Sequence, residues 1–298
     1  MTRQEVLPTP SRRQVLGVTA TLVVLASIGT AADARRELRV CADPDNLPYS
    51  SDQLNGFENK IAEVIARDLN ASVQYTWFPQ RRGFIRKTLG AGKCDLVVGV
   101  PNGYDPVLTT KPYYSSSYVF VYAKDKDLDL HSFDDPVLTK IRIGLQAFGD
   151  DGANSPAALA LTRRGIIRNI IGFPLSPTND SPPGKIIHAV AAGQIDVAIV
   201  WGPFGGYFAS REPAQLNVVP VSVSPDLASL RFIYEMCMGV RRGDEKFREE
   251  LDAVLDRRLG EIQKILGAYG VPLVGRTRAA SASTVPVSTT KVDDVKER

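Results

Sequence analysis

The chain of 298 residues carries 36 Lys and Arg against 33 Asp and Glu, which gives a formal charge of +3 at pH 7. Because this balance is close to neutral and no long basic run occurs, the composition argues against a nucleic-acid-binding protein. The three cysteines form no Cys-x-x-Cys pair and only two histidines occur, which argues against a zinc site built from these residue types.

The first 34 residues have the pattern of an export signal. Residues 11–16 contain a twin-arginine-like motif, an apolar run covers 15–28, and the small residues at 32–34 are typical of a cleavage site. The apolar run of about 14 residues is shorter than the roughly 20 that a membrane-spanning helix needs. We therefore predict a cleaved signal over 1–34 and a periplasmic mature chain without a membrane span. An uncleaved anchor is the alternative, and the double arginine suits either the twin-arginine or the general secretion route.

From residue 35 onward, strand-like runs alternate with helical stripes, which is typical of an α/β protein with mainly parallel sheets. The first set comprises predicted strands over 38–42, 72–78, 96–100 and 118–123 and predicted helices over 57–69 and 81–89. The first of these helices places Phe57, Ile61 and Leu69 on one face, as an amphipathic helix requires.

A second set of elements follows with the same alternation. It comprises predicted strands over 140–146, 195–200, 216–221 and 232–240 and predicted helices from 154–156 onward, over 184–192 and over 244–266. Asn154-Ser155-Pro156 has the cap and the proline of a helix N-terminus. Two segments, Ala91-Gly-Lys-Cys-Asp95 and Ala192-Gly-Gln-Ile-Asp196, echo each other at equivalent places in the two sets.

The two sets predict two lobes. We expect lobe 1 over 35–123 plus 232–274 and lobe 2 over 124–231, joined by hinge segments near 121–123 and 231–234 that allow closure around a ligand. Residues 275–298, rich in Ser, Thr, Ala and Val and without an aromatic residue, are predicted to be a disordered tail.

One disulfide is expected in an oxidising compartment, with one cysteine left over. Cys41 lies in the first strand and Cys94 directly precedes the strand over 96–100, and these strands are expected to be neighbours. The candidate pair is therefore Cys41 and Cys94, and Cys237 is the cysteine left over. Three small buried hydrophobic side chains are the alternative.

Several segments in order carry a resemblance to a known family. They are Arg39-Val-Cys-Ala-Asp-Pro-Asp-Asn-Leu-Pro-Tyr49, Gly56-Phe-Glu-Asn-Lys-Ile-Ala62, Pro79-Gln-Arg-Arg-Gly-Phe-Ile-Arg86, Cys94-Asp-Leu-Val-Val-Gly-Val-Pro101, Thr110-Lys-Pro-Tyr-Tyr114, Tyr118-Val-Phe-Val121 and Met238-Gly-Val-Arg-Arg-Gly-Asp244. Across 37–274 the chain resembles periplasmic binding proteins of type 2. More narrowly, it resembles the J-type proteins encoded beside pyrroloquinoline-quinone (PQQ) methanol dehydrogenases and their cytochrome c.

This resemblance implies a fold, a compartment and partners. The fold is a two-lobed α/β fold with two mixed, mainly parallel sheets flanked by helices and a two-segment hinge. The implied function is a periplasmic accessory of a PQQ-dependent alcohol dehydrogenase system, with the dehydrogenase, its cytochrome c or a small organic ligand as partner. No cofactor of its own is expected.

Members of the wider family hold their ligand where the first strand ends and the first helix begins, so we expect a cleft there. The candidate cleft residues are Asp43, Asn46, Tyr49, Phe57, Glu58, Arg81, Arg82, Phe84, Pro101, Asn102, Tyr104, Gln146, Asn154, Trp201, Gly202 and Phe204. Arg81 and Arg82, at a predicted helix start, are expected to grip an anionic group; exposure to solvent or pairing with acids is the alternative. Trp201 and Phe204 predict an aromatic opposite wall.

Free amino acids are disfavoured as ligands. Amino-acid-binding relatives hold the α-carboxylate with an Arg shortly after the third strand and the ammonium with an Asp at the end of the equivalent strand of lobe 2. Here residues 101–107 contain no Arg, and Trp201 stands about where the Asp belongs. A zwitterion would lose both charge partners, and burying an unpaired charge is costly.

Metal binding and catalysis find little support in the motifs. Asp43-Pro-Asp-Asn46 fails the calcium-loop pattern because Pro48 and Leu54 stand where Gly and a carboxylate are required, and turn chemistry accounts for it. The common nucleophile, phosphate-loop and zinc-protease motifs are missing. We therefore predict a non-enzymatic accessory protein that engages the dehydrogenase or a ligand in an apolar interlobe cleft. A substrate-binding component of an ABC-type transporter is the alternative.

Overall fold

The computed structural model describes residues 36–147, 155–174 and 182–275. The predicted export signal, the predicted tail beyond Gly275 and the candidate cleft residue Asn154 therefore lie outside the described residues. In the described part of the chain, no helix is both long and apolar enough to cross a membrane.

The described chain alternates strands and helices through both halves. The strands are β1 (Arg36–Ala42), β2 (Asp45–Asn46), β3 (Ser50–Ser51), β4 (Ala71–Trp77), β5 (Val97–Pro101), β6 (Leu108–Thr109), β7 (Tyr114–Ala123), β8 (Ile143–Ala147), β9 (Ile170–Pro174), β10 (Val197–Trp201), β11 (Leu216–Pro220) and β12 (Ile233–Val240). The helices are α1 (Phe57–Asp68), α2 (Phe84–Lys87), α3 (Pro156–Arg163), α4 (Lys185–Ala191), α5 (Gly202–Ala209) and α6 (Glu245–Ala268).

The strands form one large mixed sheet and two small sheets. The large sheet has the order β5-β12-β7-β10-β8-β9, with β6 paired to β12 and β11 paired to β7, while β1 pairs with β4 and β2 with β3. The mixed character is confirmed, but among the described ladders antiparallel pairings outnumber parallel ones. The reason is that the two long strands β7 and β12 run antiparallel to each other and to their further neighbours.

Strand β7 belongs to both halves of the large sheet. Its first residues, Tyr114 to Ser117, pair with β12, whereas Tyr118 onward pairs with β10 and β11. Tyr118 and Phe120 pack in one hydrophobic cluster with Leu145 of β8. The pairing of β7 therefore changes from β12 to β10 and β11 near Ser117–Tyr118, and alternate side chains from Tyr118 onward belong to the second core.

Separate hydrophobic cores support the two halves. The first core gathers α1 and α6 around Phe57, Leu96 and Leu251. The second half packs on both faces of its sheet, with Phe120 in one cluster and Val119 in the other. Strands β7 and β12 run between these cores, which gives the molecule its two-lobed α/β organisation.

The predicted Cys41–Cys94 disulfide is confirmed. The two Cα atoms lie 5.5 Å apart, within the range that a disulfide requires. The Cys41 amide also donates to the Leu96 carbonyl at 2.8 Å, so the first strand and the segment before β5 are neighbours, as the sequence predicted. Cys237 lies outside this disulfide and is buried in the same apolar cluster.

Helix α2 is much shorter than predicted. The predicted helix covers 81–89, but the observed helix begins at Phe84 because Gly83 adopts a left-handed conformation with φ of +87°. A left-handed residue cannot continue a right-handed helix. Arg81 and Arg82 therefore lie in the turn that precedes the helix.

Candidate functional site

A cavity of about 480 Å³ is lined by residues from both halves of the chain. Candidate cleft residues that contribute to its lining are Asn46, Tyr49, Glu58, Pro101, Gln146, Trp201 and Phe204. The ends of β5 and β10 and the start of α1 thus meet at one place, as strand-end reasoning for parallel α/β folds anticipates.

Asp43 lies outside the lining but organises one rim of the cavity. Its carboxylate accepts the backbone N–H groups of Asp45 at 2.9 Å and of Gln80 at 2.6 Å. Asn46 then donates from Nδ2 to the Gln80 side-chain oxygen at 3.0 Å. Asp43 therefore acts as a turn-stabilising acceptor that ties two lining loops together. Within the described ranges, no group of three or more His, Cys, Asp or Glu could hold a metal ion.

Glu58 places a carboxylate on the lobe 1 side of the cavity. It is the second residue of α1, and Gly56 before that helix approaches the Tyr49 carbonyl so closely that a Cβ would lie 2.1 Å from the oxygen. Burial raises the pKa of Glu58 to about 7, because desolvation disfavours the ionised form. No hydrogen bond or ion pair to this carboxylate occurs among the described residues.

Three aromatic side chains, Tyr118, Trp201 and Tyr234, form what we call the aromatic wall. Trp201 ends β10 and lies directly opposite Tyr118 of β7 in the strand register. Its ring centroid is 5.7 Å from that of Tyr118 and 5.5 Å from that of Tyr234, both in edge-to-face geometry, which aromatic pairs favour. All three line the cavity, so the aromatic surface involves β7 and β12 as well as β10.

Phe204 extends this surface from α5, a helix that the sequence did not predict. The segment Gly202–Ala209 contains three glycines and has no polar face, both unfavourable signs for a helix. Close contacts explain the glycines, since a Cβ on Gly202 would lie 2.5 Å from the Ser117 carbonyl oxygen. Gly202 was predicted as a cleft residue; it lies outside the lining and serves close packing instead.

Two predicted cleft residues, Phe57 and Phe84, are core residues. Phe57 is fully buried, with its ring against Tyr49, Tyr114 and Tyr269. Phe84 packs beside the disulfide. Their apolar rings face the interior because each stands on the buried side of its helix.

Arg81 and Arg82, two further predicted cleft residues, lie outside the described cavity lining. Both side chains are exposed. Among the described lining residues the one basic side chain is Lys185. Neither Arg81 nor Arg82 is therefore placed to hold an anionic group inside this cavity.

Asn102 and Tyr104 lie beyond the cavity as well. Asn102 donates from Nδ2 to Glu235 at 2.8 Å, which occupies its amide at the surface. Tyr104 is 39% exposed and lines a separate surface groove with Arg242. Neither residue therefore contributes to the lining of the interlobe cavity.

Sequence reasoning missed several lining residues, which are Tyr118, Tyr234, Met236, Gln80, Ser155, Phe173 and Lys185. Ser155 had a recognisable signal, because it was a predicted helix cap and does accept the Ala158 N–H at 3.1 Å. The two tyrosines lie on strands whose facing side depends on the register with partners far away in the sequence.

Comparisons with known proteins agree with this geometry. Bacterial extracellular solute-binding proteins, family 3, match residues 38–271. Protein MoxJ of Methylorubrum extorquens is 28% identical over 284 residues, covering 87% of this chain and 94% of that protein. The crystal structure of MxaJ from Methlophaga aminisulfidivorans MPT is 27% identical with a TM-score of 0.70, covering 80% of this chain and 100% of its own. The crystal structure of the periplasmic binding protein XoxJ from Methylobacterium extorquens AM1 is 33% identical with a TM-score of 0.66, covering 80% of this chain and 99% of its own. The resemblance to J-type proteins and the two-lobed fold are confirmed.

Proposed function

This chain belongs to the bacterial extracellular solute-binding proteins, family 3, and from that premise we propose that it is a periplasmic accessory protein of a PQQ-dependent alcohol dehydrogenase, which it engages through its interlobe cavity. The proposed role is binding and not catalysis. The observation that carries it is the aromatic wall of a cavity whose described lining contains no arginine.

The cavity chemistry suits an inserted protein segment. Buried aromatic side chains are the residues that most often anchor protein–protein contacts, and Trp201 stands between Tyr118 and Tyr234 with its ring partly accessible. The J-type relatives supply the partner class. A loop of the dehydrogenase entering the cavity would bury apolar area against this wall.

Titration of the purified dehydrogenase into the mature protein tests the proposal. Trp201→Ala should weaken association by about 2 kcal/mol or more, as truncation of a buried aromatic anchor does. Trp77→Phe is the matched control, because Trp77 is the other tryptophan, stacks on Tyr75 and does not line the cavity. Equal affinity of Trp201→Ala and the native protein, or no association at all, would contradict the proposal.

A solute receptor is the second candidate. It is favoured by the polar side chains set among apolar ones in the cavity lining, Glu58, Gln146 and Ser155 among them, because such a combination is typical of small-molecule sites. Co-purification from the periplasm distinguishes the two: a receptor brings a small molecule with it, whereas an accessory protein brings the dehydrogenase.

A further inference from the structure

The Glu58 carboxylate is positioned over a glycine in the cavity lining. A Cβ on Gly99 of β5 would lie 2.1 Å from Glu58 Oε1 and 3.1 Å from its Cδ. Both residues line the cavity. The carboxylate therefore occupies the space that any larger residue at position 99 would fill, and it keeps no protein partner among the described residues.

The described lining of the cavity contains three charged side chains. Among the described lining residues, Asp45 and Glu58 are acidic and Lys185 is basic. Lys185 is exposed at the start of α4 and already has an interaction of its own. A group that enters the cavity beside Glu58 consequently meets a carboxylate without a cation.

The rings around the cavity complement a positive charge. The faces of Trp and Tyr rings attract cations within about 6 Å of their centroids. Tyr234 shows this property already, since the Arg231 guanidinium lies 5.6 Å from its ring centroid. The aromatic wall and Tyr49 therefore offer both apolar area and ring faces in the same cavity as Glu58.

We propose that this cavity recognises an ammonium group, with Glu58 as its counter-ion and the aromatic wall around its apolar substituents. The inference rests on the proposed function, because it names the chemistry of the same site. The ammonium can belong to a free organic cation or to a lysine side chain of the dehydrogenase. A free amino acid fits poorly, since its carboxylate would find no arginine in the described lining.

Calorimetry with benzyltrimethylammonium and choline tests recognition of the free cation. The neutral isostere of choline, 3,3-dimethylbutan-1-ol, should bind at least about tenfold more weakly than choline, because it lacks the charge that a buried carboxylate would pair with. Glu58→Gln should reduce affinity for both cations by about tenfold or more. Glu63→Gln is the control, since Glu63 is an exposed residue of the same helix that pairs with Lys60 and should leave affinity unchanged.

Gly99→Ala offers a second variant that keeps the charge but moves it. The added methyl group should displace the flexible Glu58 side chain and weaken cation binding, while β5 keeps its backbone. Thermal unfolding of each variant verifies that the fold persists. Native affinity in both Glu58→Gln and Gly99→Ala would overturn the inference.

The pH dependence gives a readout that a merely structural role would not produce. Because burial raises the pKa of Glu58 to about 7, the carboxylate becomes ionised as the pH rises through neutrality, and cation affinity should increase from about pH 6 to about pH 8. Four tyrosines interact electrostatically with Glu58, and burial raises the pKa of each; they are Tyr49, Tyr75, Tyr113 and Tyr114. Asp45 and Lys185 are the other charged side chains of the described lining. The tyrosines stay neutral over this range. Glu58→Gln should abolish the increase; an equal increase in this variant would contradict the assignment.

The two sources of the ammonium are separated with the dehydrogenase. If the partner supplies a lysine, Glu58→Gln should weaken its association about tenfold and benzyltrimethylammonium should compete with it. If the ligand is a free cation, the variant should lose only cation binding. Association with the dehydrogenase without a preference for cations over the neutral isostere would overturn the inference and leave the proposed function standing. Cation binding without association with the dehydrogenase would overturn the proposed function and leave the inference standing.

Discussion

Asp95 and Asp196 show at the scale of single residues how one device supports both lobes. Arg39 donates from Nε to Asp95 at 2.7 Å, and Arg142 donates from Nε to Asp196 at 3.0 Å. Each arginine also donates to the carbonyl of the glycine three residues before its aspartate. The echo between Ala91–Asp95 and Ala192–Asp196 therefore marks a repeated structural link at the start of a core strand.

Asp196→Asn should destabilise the protein in a pH-dependent way. The hydrogen bonds from Arg142 hold the pKa of Asp196 below its ordinary value, so the ionised form is favoured in the folded state. Its stabilisation is fully present above the unfolded pKa, near 4, and is lost as the pH falls through the lower folded pKa. Urea unfolding at neutral pH should show a loss on the order of 1–3 kcal/mol.

The control for this change is Asp125→Asn, because Asp125 is exposed. The difference in the free energy of unfolding between the native protein and Asp196→Asn should become smaller under acid conditions. The free energy of unfolding of Asp125→Asn should stay close to that of the native protein at every pH. An unchanged gap from neutral to acid pH would show that the charge of Asp196 does not matter.

At the scale of elements, α5 is held against the C-terminal end of the described chain. A Cβ on Gly206 would lie 1.9 Å from the Gly270 carbonyl oxygen, and the rings of Tyr207 and Tyr269 stack with centroids 5.8 Å apart. Ser116 Oγ of β7 also donates to the Pro272 carbonyl at 2.7 Å. This contact lets a glycine-rich segment remain helical and carry Phe204 to the cavity.

Gly206→Ala should destabilise the protein by about 1–3 kcal/mol, because the new methyl group meets backbone that cannot rotate away. Gly260→Ala is the matched substitution within α6, where a Cβ would meet nothing within 4 Å. It should stabilise the protein by about 0.5–1 kcal/mol through helix propensity. Chemical unfolding of both variants measures the contrast, and similar effects of the two substitutions would count against the close contact.

The disulfide links β1 to the segment that precedes β5, and it encloses a sequence separation of 53 residues. Replacing Cys41 and Cys94 together by Ala should lower stability by about 2–4 kcal/mol. A reductant should lower the Tm of the native protein and leave that of the double variant unchanged. Insensitivity of the native Tm to reductant would mean that this disulfide contributes nothing to stability.

The sequence predicted most elements because their periodicity is local. Helix α1 follows from its apolar face, and the end of β10 follows from an apolar run that stops at Trp201. It failed where distant contacts decide the outcome, as in the helical state of α5. It also missed the left-handed turn at Gly83, which leaves Arg81 and Arg82 outside the helix.

The same distinction applies to the candidate site. Tyr49 and Trp201 were predictable because Tyr49 comes after the first predicted strand of the first set and Trp201 comes directly after a predicted strand of the second set. Tyr118 and Tyr234 were not, because they face the cavity only through the pairing of β7 with β10 and of β12 with β7. No local pattern encodes that register.

At the scale of the whole molecule, two cores flank one cavity and two long strands pass between them. This arrangement allows the lining from each half to approach a ligand of variable size. That lining has a carboxylate and aromatic rings but no arginine among its described residues, and on this basis we expect zwitterions to bind poorly.

Phenylalanine and its methyl ester allow a direct comparison of a zwitterion with a cation that lacks the carboxylate. Both carry an ammonium and a ring, but only the free amino acid carries a carboxylate, which would enter the cavity without a guanidinium partner. The ester should bind at least about tenfold more tightly, because burial of an unpaired charge is costly. Calorimetry that showed micromolar affinity for the free amino acid would restore the amino-acid receptor.

Fluorine NMR of a single labelled tryptophan tests the central claim most directly, because the chain has only Trp77 and Trp201. In a Trp77→Phe protein grown with 5-fluorotryptophan, the one resonance reports on Trp201 in the cavity, and the unlabelled dehydrogenase is invisible. Adding the dehydrogenase should shift this resonance, whereas the Trp77 resonance of the native protein labelled at both tryptophans, identified by its absence from the Trp77→Phe protein, should broaden without shifting. A shift at Trp77 alone, or no change at either tryptophan, would contradict engagement of the dehydrogenase through the cavity.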